Sequence, residues 1–491
     1  MAGGGFTTLN TALSGMMTAQ AGLYVAGHNI ANNEVKGYTR QNVLQNEFGY
    51  VNVGNSGKSQ PMQIGLGSDI NAIRQIRNQF LDIAYRDNAS QYSFYEKKYA
   101  AGLEIEGIFS EMEGEYKIQS VLFDLWESLQ EFELNPTALE TRANFIEMSK
   151  TFLDKFSDAS KNLYEYQLNL NEQVQSSVQR INYLVSTIKD MNTKISTGEA
   201  SGDNANDFRD TRNNALDELA TIIPITYKED SNGMTQILCE GKDILVNNLQ
   251  YNLGLRYMSE KSPFVEVVFT DSIKILPREL DSQFVRPLFD VSKPMDAIHK
   301  TDTGSLKALL LARGTKMSNY TDSESYVEEA RERAENGETG FYATEPTALG
   351  DSLTESGELE YSYDMFNAGC LIPKMQIRLD TLFNQIVTSI NDALAPQDAM
   401  GENGVVDQIK APYDLAGDQP LQELFTRTSN LKLFLDDDVN NLPIVNGRYD
   451  SKGNYIGEDQ REMYSLYTMG NVEINVTFAD SQGYTKLAVG D

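Results

Sequence analysis

The sequence predicts an α+β multidomain protein in which a long antiparallel helical stem carries β-rich outer domains, with an N-terminal helix disordered or loosely held in the monomer. Three observations carry that reading. Apolar residues recur at threes, fours and sevens from Ala138 to Ser196. The period changes to two after Ile222-Ile223-Pro224. The first forty residues hold a helix with two faces to bury, which it cannot do alone.

That first helix runs from about Thr8 to Ala31. Leu9, Leu13, Met16, Leu23 and Ile30 form a heptad stripe, with Gln20 and Gly27 in its two weak positions. A stripe two-sevenths wide is a seam between helices. Beside it Ala12, Ala19 and Ala26 line a face of small side chains that lets another backbone approach. Thr7 or Thr8 is placed to cap the start, and Asn32-Asn33 and then Gly37 tolerate the left-handed angles that end a helix. The pattern alone also fits an ordinary core helix of a globular domain.

Asn29-Ile30-Ala31-Asn32 followed by Gly37-Tyr38-Thr39-Arg40-Gln41, after a helix with Ser14-Gly15 and Ala19-Gln20, resembles the N-terminal signature of the bacterial flagellar axial proteins. That family includes rod, hook and hook-associated subunits. The usual form has Thr at Val35 and often Pro at Lys36, so the copy here departs in the loop. The resemblance implies a segment that is disordered in the free monomer and folds in the polymer. There it lies near a central channel, against C-terminal helices of neighbouring subunits.

Charge is unevenly placed. The chain of 491 residues carries a formal −30, yet residues 1–100 hold eight Lys or Arg against six Asp or Glu. Such acidity argues against nucleic acid as a partner, because phosphate binding needs clustered cations. No apolar run is long enough to enter a membrane, and the N-terminus lacks a cleavable signal. Cys239 and Cys370 have no metal-ligand neighbours in sequence; they read as two buried thiols, with one disulfide as the alternative.

Residues 42–70 read as an extended connector, with Met62, Ile64 and Leu66 alternating like a strand. Helical spacing returns from about Asn71 through Ile73, Ile76, Phe80, Tyr92, Leu103 and Ile108, and again from Val121 to Phe132 around Trp126. Asn135-Pro136-Thr137 breaks the chain. The regular stretch that follows predicts a rod of about 80 Å if unbroken. Asn192 sits where its heptad calls for an apolar residue, a placement that fixes register between helices.

After a polar break at 198–204 comes Asn206-Asp207-Phe208-Arg209-Asp210-Thr211-Arg212, then Leu216 and Leu219. This resembles a second motif of the same axial family, found in its junction subunits between hook and filament, with Asn213 where Asp is usual. Its charges read as a solvated or intersubunit ion-pair face rather than a catalytic cluster. Strands are predicted at Thr226 to Glu229, Thr235 to Glu240, Ile244 to Val246, Val265 to Phe269 and Ser272 to Ile275. Helix returns at 303–314, again resembling the family, and from Leu371 to Leu394. Residues 318–365, with thirteen acids against two arginines, read as an acidic surface excursion. Beyond Ile409 the clearest strand alternation is Val472, Ile474, Val476 and Phe478.

The division this implies is an axial helix and motif at 1–41, a connector at 42–70 and a stem from 71–221, about 303–317 and 369–396. A β-rich domain fills 222–302, an acidic insertion 318–368 and a β-rich segment 397–491. The axial resemblance implies a C-terminal helix pairing with the N-terminal one, and the sequence ends at Asp491 in strand-like residues, so it is expected to be truncated.

With only His28 and His299, the chain has no zinc-binding His-Glu-x-x-His, and no Walker loop, Gly-x-Ser-x-Gly elbow or Rossmann fingerprint. No catalytic residue, cofactor or metal is assigned. The resemblance implies a structural flagellar subunit, extracellular, exported by the type III pathway with an export chaperone, and assembling with its own copies, hook protein and the next junction protein. Its assembly residues are then Leu9, Leu13, Met16, Gln20, Leu23, Gly27, Asn29, Ile30, Asn32, Gly37, Tyr38 and Arg40; its stem motif is Asn206, Asp207, Asp210, Arg212, Leu216 and Leu219. A hook or rod subunit is the alternative within the class; a secreted adhesin or wall-degrading enzyme with a borrowed N-terminus is the alternative outside it.

Overall fold

The computed structural model describes residues 4–53, 62–109, 118–200, 202, 204–258, 263–270, 286–289, 301–323, 369–394, 424–427, 467–470, 472–478, 484 and 487. The predicted strand at 272–275, nearly all of the acidic excursion and most of 397–491 lie outside them.

Helix α1 (Gly4–Ala31) begins ahead of the expected threonine caps, which lie inside it. It ends at Asn32, whose main-chain N–H and side-chain amide both donate to His28 O, at 3.1 and 2.9 Å. Of the residues expected to turn left-handed, only Gly37 does, with φ +81°. A long ribbon follows. Strand β1 (Gln41–Glu47) pairs antiparallel with β4 (Ser68–Gln75), and β2 (Tyr50–Val53) with β3 (Met62–Gly65). Phe48 N–H to Gly67 O (2.9 Å) and Leu66 N–H to Gly49 O (2.8 Å) join the two pairs into one arm.

The helical spacing expected from Asn71 is overturned: Ile73 lies in β4, opposite Val43, and helix resumes only at Gln79. Isoleucines three apart share a helix face but fall on opposite faces of a strand, so their spacing pointed to the wrong element. A β-branched cross-strand pair decides for the strand.

The stem comprises α2 (Gln79–Phe109), α3 (Ile118–Leu134), α4 (Leu139–Glu199), α5 (Asn206–Ile222), α6 (Ser305–Arg313) and α7 (Leu371–Leu394). At 61 residues α4 is about 90 Å long. Its predicted stripe, from Phe145 through Leu163 and Val178 to Ile195, is the core. Across the Pro136 break α3 folds back and stacks Phe132 on Phe145, with ring centroids 5.6 Å apart. Trp126 stays exposed. Helix α6 is entered at Gly304, φ +84°, where an added Cβ would lie 2.7 Å from Ile222 O. From α7, Phe383 packs on Phe152 and Phe156 at 5.3 and 5.5 Å.

The change of period after Pro224 yields a meander of β5 (Thr226–Glu229), β6 (Thr235–Cys239), β7 (Lys242–Val246) and β8 (Leu249–Gln250). Strand β9 (Leu253–Tyr257) pairs with β10 (Val265–Phe269). Asn247 and Asn248 both have positive φ, as a tight two-residue hairpin turn requires. Asn192 is buried and bonds both Thr235 of β6 and Arg212 of α5, so the partner whose register it fixes is a strand as well as a helix. Strand β11 (Phe425–Arg427) pairs with β12 (Val472–Ile474). The alternation expected to run on to Phe478 stops there, because a bond from Phe478 N–H to Asn475 O (2.8 Å) closes a turn that carries Phe478 inward and leaves Val476 exposed. Cys239 and Cys370 are both buried, as expected of two thiols.

Candidate assembly interface

Helix α1 docks on the ribbon by a face that the heptad reading did not single out. Thr11, Ser14, Thr18, Val25 and Asn29 point inward. Thr18 Oγ1 lies 2.9 Å from Ser68 Oγ, and Ser14 Oγ accepts Ser68 N–H at 3.2 Å. Gly67 permits the approach: its φ is +123°, and a Cβ there would meet Ser14 Oγ at 2.1 Å. Among the described residues Val25 is the one hydrophobic side chain of α1 that is buried.

The predicted seam therefore looks outward. Leu9, Met16, Leu23 and Ile30 are 63, 69, 75 and 78% exposed, and Leu13, Gln20 and Gly27 are exposed with them. So is the small face of Ala12, Ala19 and Ala26. A contiguous apolar stripe in water is the usual mark of an interaction surface.

The motif loop is folded around one amide. Asn29 Nδ2 donates to Gln41 O (2.9 Å), and Asn29 Oδ1 accepts Gln41 N–H (2.9 Å) and the Tyr38 hydroxyl (2.7 Å). The Tyr38 ring meets His28 edge-on at 5.4 Å. Arg40 is exposed, while its carbonyl accepts Ile76 N–H at 2.9 Å.

The loop rests on α5, so the two motifs quoted from the sequence touch across some 170 residues. Asn206, Asp210 and Asn214 stand one turn apart on one side of α5. Asn206 Nδ2 donates to Ile73 O (2.9 Å) and its carbonyl accepts Gln75 Nε2 (2.9 Å). Asp210 Oδ2 accepts Thr39 N–H at 3.2 Å. Asn214 Nδ2 reaches Lys36 O at 3.4 Å, and Gly37 lies so close that a Cβ there would fall 1.6 Å from Asn214 Oδ1. Burial raises the Asp210 carboxyl above its usual range, with the bonds from Thr39 pulling it back.

The expected solvated ion-pair face is corrected by burial. Arg212 is 2% exposed and donates to Glu229 Oε2 (2.7 Å), Gly233 O (2.5 Å) and Asn192 Oδ1 (3.2 Å). Desolvation is the main influence on its guanidinium and lowers its pKa. Arg209 grips Glu199 with two bonds (2.6 and 2.8 Å) and Glu229 with a third (2.8 Å). These charges pin α5 to the end of α4 and to β5 within one chain. Asp207 alone of the motif acids stays exposed, and Leu216 and Leu219 enter the core. Sequence reasoning missed Glu199, Glu229 and the buried Arg86, which pairs with Asp217 (2.7 Å) and lies over the Tyr227 ring (4.4 Å). Their separations in sequence carry no periodic signal.

Among the described residues no group of His, Cys, Asp or Glu is arranged to hold a metal ion, and no helix is long and apolar enough to cross a membrane.

Part of the chain is similar to known proteins. The flagellar hook-associated protein FlgK helical domain matches residues 103–323, which include α5 but not the N-terminal motif. Flagellar hook-associated protein 1 of Bacillus subtilis (strain 168) is 28% identical over 229 residues, 46% of this chain and 45% of that one. The Escherichia coli (strain K12) protein of the same name is 26% identical over 231 residues, 47% of this chain and 41% of its own. Each match thus spans less than half the length of the relative. The flagellar hook junction protein FlgK from Burkholderia pseudomallei aligns over 72% of this chain and 47% of its own, with a TM-score of 0.45 and 16% identity.

Proposed function

We propose that this chain, whose residues 103–323 belong to the helical-domain family of the flagellar hook-associated protein FlgK, is a structural subunit of the bacterial flagellum that forms the junction between hook and filament. The observation that carries the reading is the exposed seam of α1: Leu9, Leu13, Met16, Leu23 and Ile30 face water on a helix docked by its small polar face. Burying such side chains contributes roughly 1.5–3 kcal/mol each, which offsets the cost of ordering an N-terminal segment only when neighbours supply the other surface. The mechanism is association coupled to folding, not chemistry.

In this reading the partners are other copies of the chain arranged in a ring, the hook protein and the next hook-associated protein. The route is export through the flagellar apparatus with a chaperone, and the destination is the extracellular flagellum. The exposed seam residues, with the motif from Asn29 to Gln41, make the assembly surface. The 206–219 segment holds that motif at a fixed place on the stem.

An antibody raised against residues 139–222, used with immunogold on the bacterium that makes this chain, tests the reading. Label confined to the hook–filament boundary, together with bare hooks and shed filament subunits when the gene is deleted, is the expected result. Label spread along the hook, or in the rod, assigns the chain to those parts instead. Label in the medium or on the cell wall, with filaments intact after deletion, removes it from the flagellum.

A further inference from the structure

Helix α3 turns one side to the core and leaves the other uncovered. Ile118, Val121, Leu125, Ser128 and Phe132 are buried. Opposite them, at steps of four, three, four and four, stand Gln119, Phe123, Trp126, Gln130 and Leu134, all exposed. The apolar three of that line, Phe123, Trp126 and Leu134, are 63, 58 and 79% exposed. From end to end the line runs about 22 Å, four turns of helix. The charges that flank it have one sign. Residues 118–141 hold Asp124, Glu127, Glu131, Glu133 and Glu140, all exposed, and no Lys or Arg. Glu147 of α4 and Glu218 of α5 each have a cation beside them, Lys150 at 2.7 Å and Arg180 at 2.6 Å; among the described residues none of the five acids around α3 has one.

We propose that this face of α3, separate from the α1 seam, docks a basic amphipathic helix of a protein other than this chain. The partner's apolar line packs along Phe123, Trp126 and Leu134, and its Lys and Arg side chains meet Asp124, Glu127, Glu131 and Glu133. The spacing selects a helix, because a line along the i+3 and i+4 positions of one helix is the seam on which a second helix packs. The charge selects its sign. A second copy of this chain brings a formal −30 against the same acids, and anionic lipid or nucleic acid is repelled in the same way. A cationic helix is drawn in, and an Arg laid over the Trp126 ring adds a cation–π contact at the side chain most often central to such interfaces. Three apolar side chains offer less than the roughly 800 Å² per partner of a stable interface, so the contact is reversible and its on-rate falls with salt.

Trp126 is the only tryptophan of the chain, so its fluorescence reports this face and no other. The probe is a synthetic helix of Leu and Lys with its leucines on one side, titrated into the full chain. A saturable blue shift of the Trp126 emission is expected, weakening as salt is raised. Asp124→Lys/Glu127→Lys/Glu131→Lys is expected to weaken binding about tenfold or more, and Phe123→Ser likewise, with Trp126 kept as the reporter. Phe123→Ser carries the test if the triple variant loses its helical circular dichroism. Glu172→Lys/Asp190→Lys, exposed acids of α4, is expected to leave the affinity within about twofold. A peptide of the same composition with its leucines scattered around the helix, or one with Glu for Lys, is expected to give no shift. No shift with the amphipathic Lys peptide overturns the proposal. So does an equal shift with either control peptide, or binding that neither Phe123→Ser nor the charge reversal weakens. A blue shift on concentrating the chain alone assigns the face to a second copy and also overturns it. In the living bacterium a photocrosslinker placed at Gln130 is expected to join a Lys- or Arg-bearing helical segment of another protein; an adduct confined to copies of this chain, or none, overturns the proposal.

Discussion

Asn192 and Thr235 exchange both hydrogen bonds that a side-chain amide and a strand residue can share. Asn192 Nδ2 donates to Thr235 O at 2.9 Å, and Asn192 Oδ1 accepts Thr235 N–H at 3.0 Å. Arg212 Nη1 adds a bond to the same oxygen at 3.2 Å. The amide stands in for a neighbouring strand and sets where β6 docks along α4. Asn192→Leu satisfies the heptad but strands two main-chain groups and part of a buried guanidinium. Urea unfolding is expected to show a loss of about 3 kcal/mol; a gain would mean that the amide is dispensable filling.

Glu229 is a second place where burial decides. It bridges Arg209 and the buried Arg212, so Glu229→Ala leaves a cation without its carboxylate and is expected to cost about 3 kcal/mol. Arg180 and Glu218 make an equally well-formed pair (2.6 Å), but both are over 40% exposed. Glu218→Ala is expected to cost less than about 1 kcal/mol. Equal losses in the two variants would show that the network around Arg212 is not buried in solution.

Asp380 on α7 gives the chain a pH signature. It accepts Tyr320 N–H at 2.9 Å and Met469 N–H at 2.6 Å. Burial lifts its carboxyl to about 7, against the pull of those two bonds. A folded pKa raised above the unfolded value stabilises fully at pH below the unfolded pKa, and the contribution is lost as pH rises through about 7. Glu199 and Glu218, held low first by bonds from Arg209 and Arg180, act only below the usual carboxylate range, outside this window. From pH 5 to 8 the unaltered chain is expected to lose stability and Asp380→Asn to lose less, its remaining slope coming from Asp210, whose carboxyl burial also raises. Parallel curves in chemical denaturation would contradict this.

What could be read in the sequence was periodic. The α4 core stripe and the meander after Pro224 each repeat at one spacing and lie where they were expected, the break at Pro136 is marked by its proline, and the heptad residues of α1 share one exposed face. What could not be read depends on a partner elsewhere in the chain. Asn171, Asn182, Asn192 and Asn391 are helix asparagines that clamp strand backbone, at Pro263 with Val265, at Leu253, at Thr235 and at Phe425. In sequence each looks like a solvated or seam amide. Arg212 was misjudged for the same reason, because its burial comes from Gly233 and Asn192. The polar docking face of α1 was hidden too, since Thr11, Ser14 and Thr18 carry no apolar signal.

The seam of α1 is the centre of the account, and Leu9→Ser/Leu23→Ser/Ile30→Ser in the full-length protein tests it most directly, with urea unfolding and sedimentation read together. The predicted result is stability within about 0.5 kcal/mol of the unaltered chain, as for other exposed substitutions, with self-association abolished. A clear loss of stability with association intact would contradict it, because the stripe would then be buried within one chain.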